Sequence, residues 1–285
     1  MILLTGVTGK TGGATAQALL GTGLPLRVIV RSEEKAAALK AAGVELVVGD
    51  LGDQAVLDRA LAGADRALLI APNGEHQLDY EKKFVDAAVK AGVRHLVKMS
   101  SIEASPTTKN PIAQIHYASE QYIEKSGLAW TFMKPSFFMQ NFLANAGTIK
   151  EQNKFFLPMG DGQAAMVDCR DIGAATAAVL AGAGHEGRRY ELTGPEVLTF
   201  HDAAARISDA LGRKVDYVNV PMDAYRQTLA RFLTNEWHLN AVLALFGEIA
   251  ATRDAHTTRT VQQLAGRAPT SLRDFIAQFK AVFTA

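Results

Sequence analysis

Short apolar runs recur along the first half of the chain, each followed by a longer stretch in which apolar and polar residues alternate at helical spacing. The runs at 2–4, 26–30, 44–48, 66–70, 93–99 and 129–133 are mostly apolar, as expected of strands buried on both faces of a parallel sheet. Between them, 14–20, 33–42, 54–61, 78–91 and 115–126 follow the 3.6-residue period of a helix, and three of these stretches stop at Gly43, Gly92 and Gly127. Strand and helix in strict alternation predict right-handed crossovers and a parallel sheet covered on both sides. The second half is less regular. A short strand is expected at 154–158, a helix at 171–180 with Asp171 as its cap, and strands at 190–192 and 215–220 around a helix at 200–211. The stretch 223–249 is expected to be helical, with Phe232, Leu233, Trp237, Leu243 and Phe246 on one apolar face that could serve as a lid, a packing surface or a subunit interface. Residues 1–150 and 151–285 are read as two partly interleaved domains, with no internal repeat or linker between them.

The first strand leads directly into Thr5-Gly6-Val7-Thr8-Gly9-Lys10-Thr11-Gly12, and this turn carries the first chemical signal. Gly6 can adopt a backbone conformation closed to other residues, Gly9 lets a pyrophosphate approach the main chain, and Gly12 allows the helix to lie close on the strand. Strand, glycine turn and helix at the start of a βαβ unit are the setting of a dinucleotide-binding fingerprint, here in the longer form G-x-x-G-x-x-G. The expected architecture is therefore a Rossmann-type doubly wound α/β sheet with a smaller C-terminal α/β region. Thr8, Lys10 and Thr11 join the glycines as cofactor-binding candidates. Arg31, at the end of the second strand with Ser32 and Lys35 nearby, suits the 2′-phosphate of NADPH where a carboxylate would bond the ribose of NADH. Other strand ends add Asp50 and Leu51, Ala71 and Pro72, Ser100, and Lys134 and Pro135; Asp50 either contacts the adenine or caps the following helix.

Composition narrows the partner. The 285 residues hold 30 basic and 29 acidic side chains with no long run of either sign. That leaves no electrostatic footprint for nucleic acid or an anionic membrane, so a small molecule is expected. No stretch approaches the roughly 18 apolar residues of a membrane span, and the N-terminal run is too short for a signal peptide. The single cysteine, Cys169, excludes an internal disulfide framework and points to a reducing, cytoplasmic setting. The seven histidines lack metal-ligand spacing and no G-x-S-x-G elbow is present, so neither a metal centre nor a nucleophilic hydrolase is expected.

Two stretches bear on catalysis and substrate. On the helix near 115–127, His116 shares a face with Glu120 and Tyr117 with Gln121. A tyrosine followed four residues later by lysine would be the acid pair of short-chain dehydrogenases; Gln121 occupies the lysine position, so no cation at that spacing activates Tyr117. His116, Tyr117 and solvent remain the candidate proton donors. After the sixth strand, Phe137, Phe138, Met139 and Asn141 either line a pocket or fill core, and Trp237 is a further pocket candidate. His95, inside the fifth strand, is expected to be packed rather than catalytic.

In order, Gly6-x-x-Gly9-x-x-Gly12, Arg31, Gly49-Asp50, Ser100-Ser101, His116 with Glu120, Ser126-Gly127-Leu128, and Lys134-Pro135 followed by Phe138-Met139-Gln140-Asn141 resemble the NmrA-like branch of atypical short-chain dehydrogenases. Within it the chain is most similar to the NAD(P)H-dependent quinone, azo-dye and triphenylmethane-dye reductases. Later pieces at 167–172 and 192–196 extend the resemblance over nearly the whole sequence. The resemblance implies NADPH as cofactor, NADH as an alternative donor, no flavin and no metal, and hydride transfer to a small conjugated aromatic acceptor. A conjugated acceptor delocalises the incoming charge and needs no strong acid, which fits Gln121 in place of lysine. The branch also contains regulators, so the competing implication is a non-catalytic NADP(H) sensor with a protein partner.

Overall fold

The computed structural model describes residues 1–284. The chain divides into two units that take turns along the sequence: 1–108, 113–135 and 169–191 form the first, and 109–112, 136–168 and 192–285 the second. The first unit begins with β1 (Ile2–Leu4), α1 (Lys10–Leu20), β2 (Leu26–Val30), α2 (Ala37–Ala41), β3 (Glu45–Val48), α3 (Gln54–Leu61), β4 (Arg66–Leu69), α4 (Gln77–Lys90), β5 (His95–Met99), α5 (Pro111–Lys125) and β6 (Ala129–Pro135). The chain then builds α6 (Ala146–Gln152), β7 (Lys154–Leu157) and β8 (Gln163–Ala164) of the second unit before returning for α7 (Cys169–Ala181) and β9 (Arg188–Leu192). A single cut at 150 therefore does not describe the units, because 169–191 completes the sheet that 1–135 begins.

That sheet has seven strands in the order β3-β2-β1-β4-β5-β6-β9. Leu4 lies opposite Val28 on one side and Leu68 on the other, both pairings parallel. Connections leave β1 and β4 in opposite directions, which opens a crevice at their carboxyl ends. Beneath it, Leu3, Leu57, Phe84, Leu96, Ile123 and Phe132 close one face of the sheet. On the other, α7 lies so near α1 that a Cβ on Gly173 would fall 2.5 Å from the backbone carbon of Ala14.

The second unit continues with β10 (Leu198–Thr199), α8 (Phe200–Leu211), β11 (Asp216–Asn219), α9 (Met222–Leu229), α10 (Glu236–Ala251), α11 (Thr260–Ala265), α12 (Leu272–Gln278) and α13 (Lys280–Thr284). Its two sheets are small, β7 with β11 in parallel and β8 with β10 antiparallel. The core is aromatic: Phe142, Phe155, Phe200, Phe275 and Phe283 are fully buried. Thr199 and Asp202 form a reciprocal capping box that starts α8, and Gly212, in the left-handed conformation, ends it.

Four expectations change. α5 begins at Pro111, where proline's missing N–H and fixed φ suit the first helical position. β6 runs through Lys134 and Pro135, because the Ser100 and Ile102 amides donate to the carbonyls of Met133 and Pro135. The stretch 223–249 is not one helix: the Asn235 side chain accepts the His238 amide at 2.8 Å and starts a new one, while Phe232 stands 78% exposed in the intervening turn. Asp171 lies within the first turn of α7 rather than at its cap.

The α1–α7 contact should tolerate no side chain at its closest point. Gly173→Leu is expected to lower stability by about 2–3 kcal/mol through overpacking, read by equilibrium denaturation. An unchanged midpoint would mean that the two helices are free to separate.

Candidate functional site

Backbone contacts build the loop after β1. Gly6 has φ of +67°, and a Cβ there would lie 2.8 Å from Cβ of Ile70. Its carbonyl accepts the Gly9 amide at 2.9 Å and would sit 2.3 Å from a Cβ on Gly12. Gly6 and Gly12 therefore serve the loop's own closure. Gly9 differs, since a Cβ there meets only the Gly6 carbonyl, 3.2 Å away, and otherwise open space. As N-cap of α1 it offers no side chain to the amides of the first turn. An eleven-residue helix with an uncapped, glycine-bordered N-terminus is a cradle suited to the phosphates of a dinucleotide.

Around this cradle the sequence-derived candidates of the first unit gather at the carboxyl ends of the strands. Thr8 and Lys10 are exposed on the loop, with Thr11 buried behind them. Thr5, which sequence reasoning passed over, clasps the ends of β1 and β4: its hydroxyl accepts the Ile70 amide at 2.7 Å and lies 3.1 Å from the carbonyl of Leu68. Ala71 and Pro72 follow directly. Arg31 is exposed at the end of β2, and the carboxylate of nearby Glu33 is engaged by Lys40 in a surface ion pair. Asp50 is exposed and accepts the Gly52 amide at 2.8 Å, and Leu51 is buried beside it. The cap of α3 is Asp53, whose side chain accepts from the Ala55 amide, so Asp50 is not needed there.

A buried polar centre lies at the carboxyl ends of β5 and β6, and most of it was not foreseen. On α5, Glu120 is buried; its Oε1 accepts from the Ser100 hydroxyl and lies 3.3 Å from Nζ of Lys134, which also donates to the carbonyl of Ala104 at 2.8 Å. One turn earlier, Nδ1 of His116 is 3.1 Å from Nζ of Lys98. Lys98 is fully buried and pairs with the equally buried Glu81 of α4 at 2.9 Å, and Gln77 donates to the same carboxylate at 3.1 Å. Burial, followed by the charges of Lys98 and Lys134, holds the His116 imidazole well below its ordinary pKa. A signal for Lys98 was present: a lysine in a strand that is otherwise buried on both faces must find a counter-charge. Glu81 and Gln77, four residues apart on one face of α4, are that partner.

Tyr117 is half-buried on the same helix, and Gln121 donates to Glu124 at 2.9 Å. His95 is a packed strand residue, hydrogen-bonded to Thr131 at 2.8 Å. Pro135 is buried at the end of β6. The acceptor candidates lie in the second unit. There Phe137 and Met139 belong to the aromatic core, with Phe137 edge-on to Phe142 and Phe200, whereas Phe138, Asn141 and Trp237 are half-buried. Among the described residues no cluster of three or more His, Cys, Asp or Glu side chains could hold a metal ion, and no helix is long and apolar enough to cross a membrane.

Comparison with known proteins extends these observations. The profile of the NmrA-like family matches residues 1–276. The chain is 34% identical over 285 residues to an NAD(P)H azoreductase of Xenophilus azovorans, covering 100% of both. It is 36% identical to the (4-alkanoyl-5-oxo-2,5-dihydrofuran-3-yl)methyl phosphate reductase of Streptomyces griseus, over 99% of both chains. The crystal structure of an NADPH-dependent quinone oxidoreductase of Escherichia coli complexed with NADPH superimposes with a TM-score of 0.88 at 28% identity, covering 98% of this chain and 100% of that one.

The depressed basicity of His116 has a thermodynamic consequence. An unfolded histidine binds its proton near pH 6.5, whereas the folded ring stays neutral well below that pH. Below about pH 6.5 the unfolded state thus binds more protons, and stability falls as the pH is lowered, by up to about 1.4 kcal/mol per unit for this group, until the folded ring also protonates. Above that pH the contribution is fully present. His95 and His238 are shifted the same way, so His116→Gln should reduce the acid-side slope without abolishing it. Unfolding free energies at pH 7 and 5.5 measure it; identical slopes in both proteins would contradict this account.

Proposed function

The chain belongs to the NmrA-like family, and from that premise we propose that it is an NADPH-dependent reductase passing hydride directly to small conjugated acceptors, without flavin or metal. The observation that carries the reading is the open, uncapped glycine cradle of α1 at the β1–β4 crevice, in a chain alike end to end to an azoreductase and superimposable on an NADPH-bound quinone oxidoreductase. Gly9 and the first turn of α1 would hold the pyrophosphate, Arg31 the 2′-phosphate, and Asp50, Leu51, Ala71 and Pro72 the adenosine side of the crevice. Ser100, Lys134 and Pro135 lie at the ends of β5 and β6, where the nicotinamide half belongs.

Bound NADPH supplies a hydride, and a proton taken up from water completes the reduced acceptor. The protein's part is orientation and exclusion of water. Glu120 holds Ser100 and Lys134 in one buried hydrogen-bonded group, which fixes the floor of the site rather than delivering a proton. Tyr117 has no lysine beside it in sequence, consistent with an acceptor that stabilises the hydride's charge by conjugation. Phe138, Asn141 and Trp237 are the half-buried candidates for acceptor binding. Quinones, azo and triphenylmethane dyes and oxo-dihydrofurans share the required electrophilic conjugation.

The decisive assay follows NADPH oxidation by purified, flavin-free protein with and without a panel of these acceptors. Acceptor-dependent turnover is expected; tight NADPH binding without turnover on any of them would favour a dinucleotide-sensing regulator instead. Two variants probe the cofactor assignment. Gly9→Val meets only the Gly6 carbonyl and otherwise enters open space, so it should lower the melting temperature slightly yet weaken NADPH binding tenfold or more, about 1.4 kcal/mol. Unchanged affinity would remove the cradle from the site. Arg31→Asp should shift preference from NADPH toward NADH by about ten- to a hundredfold, the value of a charge-assisted hydrogen bond. An unaltered ratio would place the 2′-phosphate elsewhere.

A further inference from the structure

The group around Lys98 imposes a constraint on His116 that reaches the chemistry of the site. An ammonium has three N–H bonds, and three acceptors surround this one: Oε1 of Glu81 at 2.9 Å, the carbonyl of Met99 at 3.0 Å and Nδ1 of His116 at 3.1 Å. The amide nitrogen of Gln77 approaches the same Nδ1 at 3.5 Å. Nδ1 is thus faced by donors alone and must keep its lone pair. The remaining ring nitrogen, Nε2, then carries the only proton. Nε2 makes no hydrogen bond in the protein and is not among the buried polar atoms left unpaired, so on this half-buried ring it is the edge that reaches solvent.

We propose that Glu81 and Lys98 are positioning residues that lock His116 as a neutral imidazole protonated on Nε2, so that the ring offers a hydrogen bond, and not a proton, to the substrate. A donor of this kind polarises a carbonyl or azo nitrogen as hydride arrives without having to be recharged between turnovers. The positive charges around the ring favour this state. Lys98 on β5 touches it, Lys134 on β6 adds a second positive charge, and the carboxylates of Glu81 on α4 and Glu120 on α5 are spent on those two lysines. Lys98 could not be replaced by an apolar residue without freeing Nδ1 to take a proton. What the Nε2 proton meets rests on the reductase reading; the tautomer does not.

The test is the two-bond ¹⁵N–¹H spectrum of histidine-labelled protein, in which the resonances of His116 are those missing from the His116→Gln spectrum. The wild type should show the Nε2–H pattern for His116, unchanged between pH 5.5 and 8. In the double variant Glu81→Gln/Lys98→Met, which removes both buried charges together, the ring should titrate with a midpoint raised toward 6.5 and exchange between tautomers. Its acceptor-dependent kcat should then acquire an acid-side dependence that the wild type lacks. An Nδ1–H pattern in the wild type, a wild-type titration near pH 6.5, or a double variant as locked as its parent would each overturn the proposal. The wild-type spectrum decides the tautomer even where the double variant does not fold, and it stands whether or not any acceptor is reduced.

Discussion

The closeness of α1 to the end of β1 is the constraint on which the first unit depends. With a Cβ on Gly12 only 2.3 Å from the Gly6 carbonyl, the helix can reach its place over the sheet only if that position is bare. The same helix is held from outside by Gly173 of α7, again at a distance that excludes a side chain. Two glycines far apart in sequence thus set where the N-terminus of α1 lies, and that N-terminus is where anionic ligands gain most from backbone amides and the helix dipole. The glycines of the loop divide their work accordingly. Gly6 and Gly12 keep the fold, while Gly9 borders open space at the N-terminus of α1.

A second constraint runs through the polar side chains buried under the ends of β5 and β6. Removing charges from water is costly, and the cost is met here only because each group finds a matched partner: Lys98 with Glu81, Lys134 with Glu120, and Ser100 with Glu120. Such a network is a weak source of stability, the more so because Oε2 of Glu81 and Oε1 of Gln77 are buried without a partner, but a strong source of orientation, since each buried charge is tied to a counter-charge. It links two strands with α4 and α5 and fixes the chemical state of the histidine between them. The reductase reading then needs no acid of unusual strength. A conjugated acceptor, a bound dinucleotide and a neutral donor suffice.

The second unit follows a different logic. Its sheets have two strands each, too few to support a core by themselves, and stability comes from aromatic side chains packed among α8, α12 and α13. Phe137 and Met139 belong to that core. Their neighbours Phe138 and Asn141 remain half-buried, held in place because the amide of Met139 and the carbonyl of Phe137 bond to Val167.

The alternation of apolar strands with helical stretches determined the doubly wound sheet, and the glycine spacing after the first strand marked the glycine turn into α1, because both are written in local periodicity and backbone freedom. The cofactor candidates on strand ends were legible for the same reason, since a parallel sheet brings every carboxyl end to one edge. Tertiary structure alone decided the rest. That 169–191 returns to complete the first sheet, that Asn235 breaks a continuous apolar helix, and that Phe137 faces core rather than pocket depend on contacts between distant segments. The pairing of Lys98 with Glu81 and His116 is the clearest case. A charged residue inside a buried strand announces that it needs a partner, but which side chain supplies it, and which nitrogen of the histidine is left with the proton, is settled only when α4, β5 and α5 come within hydrogen-bonding distance.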